Sequence, residues 1–112
     1  MVQKLSDIKM IVEDYVLTLE KKGIHVEKAI LFGSYAKGTA HDGSDIDLAI
    51  ISADLNKFPF PERLSFLSKA TLHINAPLEV LGYTPEEIRA KEGQSILWDE
   101  VNTSGKVIFE AA

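Results

Sequence analysis

Two hydrophobic rhythms alternate along the chain. Leu5, Ile8, Ile11, Val12, Tyr15 and Leu19 recur three or four residues apart, the period of a helix with one buried stripe. Ser6 is the predicted N-cap. Gly23, after Lys21 and Lys22, is the predicted stop, about four turns later. Ile24 to Phe32 reads as a first strand, and its apolar run Ala29 to Phe32 is the pattern of a strand covered on both faces. Gly33 interrupts it, Ser34 to Lys37 predicts one short helical turn, and Thr39 to Ser44 a polar loop. Asp45 to Ile51 is a second strand with a polar head and an apolar body.

Asn56, Pro59 and Pro61 break up the connection from Ser52 to Pro61. Glu62 to Asn75 follows as a helix with Leu64, Leu67, Thr71 and Ile74 on one face, widened by Phe66 and Ala70. Pro77 to Tyr83 is a third strand. Thr84, Pro85 and Glu87 form a capping-box start for the next helix, which Gly93 ends. Ser95 to Asn102 is a further short helix, Gly105 a turn, and Lys106 to Phe109 a last strand at a sheet edge. The order predicts an α+β fold, a single domain over residues 1–112, with a small mixed sheet and helices packed on one face.

One stretch carries chemistry. Asp45 and Asp47 lie two apart at the head of a strand, so they project to one side while Ile46 and Leu48 turn to the core. Two neighbouring carboxylates repel unless a cation lies between them. A hard divalent cation with oxygen ligands, Mg²⁺ above all, is the natural partner, and it is commonly held by one or two carboxylates plus substrate phosphates. The Gly33–Ser34 turn offers unhindered N–H groups and a hydroxyl at a helix start, which makes a phosphate cradle. Alone, a D-x-D pair or a G-S turn is common and means little. Joined in one strand–turn–strand unit they are far more specific.

With Gly33, Ser34, Ala36 and Gly38, then Ser44, Asp45, Asp47 and Leu48, the unit resembles the nucleotidyltransferase motif of the DNA polymerase beta superfamily. It is most similar to the single-domain branch, the minimal nucleotidyltransferases (MNT). Lys37 stands where that family has Arg; the charge is kept and the bidentate geometry lost. The superfamily also uses a third carboxylate on a neighbouring strand. PLEVLGYTPEEI, residues 77–88, resembles the corresponding segment, with Glu79 where Asp is more usual. By itself Glu79, a charge inside an apolar strand, is equally explained by a salt bridge or an edge position.

The resemblance implies a nucleotidyltransferase (polymerase beta palm-like) fold and transfer of AMP from ATP. Asp45, Asp47 and Glu79 would be the catalytic and metal-binding residues, with two Mg²⁺ ions. Gly33, Ser34, Lys37 and Ser44 would bind the nucleotide. It also implies a partner: the minimal branch pairs with a helical HEPN toxin and acts as its antitoxin by adding AMP to a tyrosine, so a hetero-oligomer is expected. Two alternatives stay open. One is a non-catalytic module that neutralises a partner by contact, kept alive by Lys37 and Glu79. The other is transfer to a small molecule of aminoglycoside type.

Composition narrows this picture without changing it. In 112 residues, 46% are hydrophobic and 26% charged, as in an ordinary soluble domain. A net charge of −5 argues against binding nucleic acid over a broad basic face. No run approaches the ~20 apolar residues of a membrane span, and the N-terminus carries acid and lysine where a secretory signal is apolar. Cysteine is absent, which excludes disulfides and thiolate metal sites. A cytoplasmic protein is the expectation. The remaining chemistry-bearing residues have ordinary readings: His25 exposed, His41 and Asp42 in a mobile loop, Phe58 and Phe60 over a core edge, Trp98 in the core.

Overall fold

The computed structural model describes residues 2–91 and 96–112. The expected helix end at Gly93 and helix start at Ser95 lie outside the described residues. Helix α1 (Leu5–Lys21) buries Ile8, Val12, Tyr15 and Leu19 of the stripe read from the sequence and adds Val16, whereas Ile11 is partly buried and Leu5 exposed. Its N-cap is Lys4 rather than Ser6, and no side chain caps it. The helix therefore begins a turn's fraction earlier than the best capping residue would set. It ends as expected. Gly23 at φ +89° donates to the Glu20 carbonyl and Ile24 N–H to that of Leu19, a Schellman closure that needs a left-handed residue.

Strand β1 spans Lys28–Phe32, helix α2 Ser34–Lys37, and strand β2 Ile46–Ile51. The expected strand from Ile24 is shortened because residues 24–26 find other partners, whereas the Glu27 amide already donates to the Ile51 carbonyl of β2. The amides of His25 and Val26 donate to the carboxylates of Asp54 and Glu20 instead of a neighbouring strand. A 3-10 turn over Ala53–Lys57, N-capped by Ser52, leads to helix α3 (Phe60–Lys69) with Pro61 in its first turn. The expected helix to Asn75 stops sooner: Thr71, Leu72 and Ile74 donate to carbonyls three residues back, so the ladder tightens into turns. Strand β3 (Leu78–Tyr83), helices α4 (Pro85–Lys91) and α5 (Ile96–Ser104), and strand β4 (Lys106–Glu110) complete the chain.

The sheet order is β3-β2-β1-β4, with β1 antiparallel to both neighbours and β2 parallel to β3. This is the small mixed sheet of the α+β expectation, with β4 at one edge as predicted. The helices, however, cover both faces. On one face α1 and α3 pack on Ala29, Leu31, Ile46, Leu48 and Ile50. On the other, Ile88 of α4 and Trp98 and Val101 of α5 pack on Phe32, Ala49, Ile51 and Tyr83. The expectation of helices on one face fails for the reason given by the continuous apolar run of β1: both of its faces need cover. Each fully buried Leu or Ile of these clusters contributes about 2 kcal/mol.

Several contacts fix the layers. The Tyr15 hydroxyl donates to the Leu67 carbonyl at 2.8 Å, joining α1 to α3. Burial raises that hydroxyl's pKa beyond its usual range. A side chain at Gly82 would meet Leu67 and Leu55 at 2.6 and 2.7 Å, so the glycine admits α3 close to β3. Arg63, only 3% exposed, reaches across to α4 and donates to both carboxylate oxygens of Glu87, at 2.7 and 3.1 Å. Its guanidinium lies 4.7 Å from the centroid of Phe60, which is otherwise largely exposed. Phe58 stacks on Phe66, at the core edge as expected. Glu87 also accepts from the Thr84 amide, and Thr84 Oγ1 accepts from that of Glu87, the predicted capping box.

Candidate active site

The end of β1, the start of β2 and the start of β3 lie together at one end of the sheet. Phe32 pairs with Asp47, and Asp47 with Glu79 across the parallel ladder. Because side chains alternate, Asp47 shares its face with Ala49 and Ile51, the face that α5 covers. Asp45 precedes β2 by one residue and is exposed; Asp47 is half-buried; Glu79 is exposed on an edge strand. That edge position makes its charge cheap to keep. Its register opposite Asp47 is what ties it to the site.

Gly33 closes the turn against Asp47. Its φ is +71°, and a Cβ there would collide with the Asp47 carboxylate. Only glycine satisfies both conditions. The following helix α2 has its first turn anchored by the Gly33 carbonyl, which accepts from Ala36 and Lys37 at 3.1 Å. Gly38, left-handed at φ +76°, ends it after four residues. The short helix predicted over Ser34–Lys37 is therefore present, with Ser34 at its head directly after Gly33. The N–H groups of a first helical turn lack intrahelical partners.

Electrostatics single out Asp47. Its pKa is pushed up to about 6, first by burial and then by the charges of Glu79, Asp45 and Glu100. Asp45 and Glu79 thus both lie close enough for their charges to act on Asp47. Among the described residues, no three His, Asp or Glu side chains form a ready metal cage. The carboxylates supply hard oxygen donors and an excess of negative charge, the donor chemistry that Mg²⁺ accepts when further oxygens come from elsewhere.

Other expected site residues are differently engaged. Ser44 Oγ accepts from the His41 amide at 2.9 Å while the Ser44 amide donates back to the His41 carbonyl, so Ser44 closes the loop before β2. Lys37 Nζ donates to Glu100 Oε1 of α5 at 2.5 Å. Glu100 was not legible as a site residue. It sits between Trp98 and Val101 in a short helix, and no motif marks it. His25 is exposed beside Glu20, and Trp98 is buried edge-on to Tyr83, both as expected.

A model of the polymerase beta nucleotidyltransferase family matches residues 13–112. No curated protein sequence matches the chain significantly. Among solved structures, a Sulfolobus solfataricus protein assigned provisionally to the nucleotidyltransferases is 20% identical with a TM-score of 0.61, over 95% of this chain and 79% of that one. A toxin–antitoxin complex with AMP-PNP is 23% identical, with a TM-score of 0.58, over 97% and 75%. A mutant of the toxin–antitoxin pair MntA–HpeT is 21% identical, with a TM-score of 0.56, over 97% and 75%. At these identities the structures show a shared fold. The family match spans nearly the whole chain and includes the glycine turn and both aspartates, and by it the chain belongs to the polymerase beta nucleotidyltransferase family.

Proposed function

We propose that the chain transfers AMP from ATP to a hydroxyl of a partner protein, a tyrosine of a helical HEPN toxin, and so acts as that toxin's antitoxin. The observation that carries the reading is the placement of Asp47: packed on the Gly33 turn, level with Glu79 and beside Asp45. A triphosphate lying on the turn would meet the Gly33–Ser34 backbone and the Lys37 ammonium. Ser44 would then shape the adjoining loop. Asp45 and Asp47 would hold Mg²⁺, and Glu79 would complete that set or take the proton of the acceptor hydroxyl.

The ions, two in number in this reading, would neutralise charge as the hydroxyl attacks the α-phosphorus and pyrophosphate leaves. The chain's own work is orientation. The Gly33 turn fixes the phosphates relative to Asp47, and the sheet register fixes Asp47 relative to Glu79. Rigid backbone elements hold both, as precise positioning requires. The setting is the cytoplasm, in keeping with the absence of cysteine, and no nucleic-acid partner is invoked.

Support for the toxin partner comes from the fold shared with toxin–antitoxin complexes, one of them holding AMP-PNP. Equilibrium binding of AMP-PNP tests the site. It should require Mg²⁺ and disappear in Asp45→Asn and Asp47→Asn. Binding that ignores both the cation and the substitutions would remove the carboxylates from the site and leave a module that acts by contact.

A further inference from the structure

The phosphate turn is tied to the far end of the chain by one ion pair. Lys37, in the last turn of α2, gives its ammonium to Glu100 of α5 at 2.5 Å, across 63 residues of sequence. Both side chains are partly exposed, at 45% and 35%. Glu100 also lies close enough to Asp47 for its charge to act there. The site thus has a fourth carboxylate, and it is already committed to the cation that the turn would offer to a phosphate.

We propose that Glu100 is a positioning residue for nucleotide entry: it holds Lys37 against α5, and an incoming triphosphate must take the ammonium over from it. This rests on the reading of the Gly33–Ser34 turn as a triphosphate site. An ammonium has three N–H donors on a flexible stem, so it can change partners without moving backbone. A partly exposed pair is weak enough to be exchanged. Glu100 therefore competes with phosphate for Lys37, and its effect on affinity passes through that lysine.

Calorimetric titration of AMP-PNP with Mg²⁺ into the wild type, Glu100→Gln, Lys37→Met and the double variant tests this, with thermal melting to show that each is folded. Glu100→Gln should bind about threefold tighter, the scale of one exposed ion pair. Lys37→Met should bind more weakly, and the double variant should match Lys37→Met. Unchanged or weaker binding by Glu100→Gln would overturn the inference. So would a tightening that persists without Lys37, because Glu100 would then act through its field alone. Absence of binding by the wild type would overturn the triphosphate reading itself, and this inference with it.

Discussion

Asp47 and Glu79 are register partners in the parallel pairing of β2 with β3, at the end of the sheet where the glycine turn closes. Burial first, and then the charges of Glu79, Asp45 and Glu100, push the Asp47 carboxyl up to a pKa of about 6. A raised carboxyl pKa means that the folded state binds the proton more tightly than the unfolded one. The charged form then weakens the fold above pH 6, and the penalty is relieved as pH falls from 6 toward the ordinary carboxylate value near 4. Asp47→Asn should therefore raise the melting temperature at pH 7–8 by a few degrees and leave it nearly unchanged below pH 4. A variant no more stable than wild type at pH 8 would show that the like charges do not strain the fold.

Gly33 and Asp47 are too close for any side chain at Gly33. Gly33→Ala should cost about 1–3 kcal/mol, as positive φ and the collision combine, and should also weaken AMP-PNP binding by displacing the carboxylate. Gly43 is the control. It has φ +89° with open space around it, so Gly43→Ala should cost about 1 kcal/mol through backbone strain alone and leave nucleotide affinity intact. Urea unfolding beside binding titrations would separate the two. Equal losses of affinity at both positions would contradict the contact.

Arg63 and Glu87 link α3 to α4 by a bidentate pair whose arginine is buried. Arg63→Ala leaves Glu87 without that partner and α3 with a cavity, and should destabilise by about 3 kcal/mol. Arg63→Lys should also be costly, since one ammonium cannot replace the two-pronged guanidinium. Chemical denaturation gives the magnitude. A loss below about 1 kcal/mol for Arg63→Ala would mean that the pair is no more than a surface contact.

Much of the fold was legible because it rests on local chemistry. The apolar stripe of α1, the capping box of Thr84 and Glu87, and the edge strand ending near Phe109 each announce themselves within a few residues. The glycine turn was legible as well, and so was the apolar body of β2, although the strand begins at Ile46 and leaves Asp45 just ahead of it. What failed was non-local. His25 and Val26 leave the strand because Asp54 and Glu20, distant in pattern, take their amides. The cover on the second sheet face comes from α5 with Ile88 of α4, and the residues of α5 look like any short amphipathic helix. Glu100 is hidden for the same reason: nothing near it in sequence says that it will meet Lys37.

The most direct test of the account is the intact mass of whatever helical protein co-purifies with this chain. It would be measured after incubation with ATP and Mg²⁺, beside the same complex formed with an Asp45→Asn, Asp47→Asn double variant. The account predicts a gain in steps of one AMP, with the native chain only. A stable complex whose partner keeps its mass, or a gain that survives the double substitution, would contradict nucleotidyl transfer by this site.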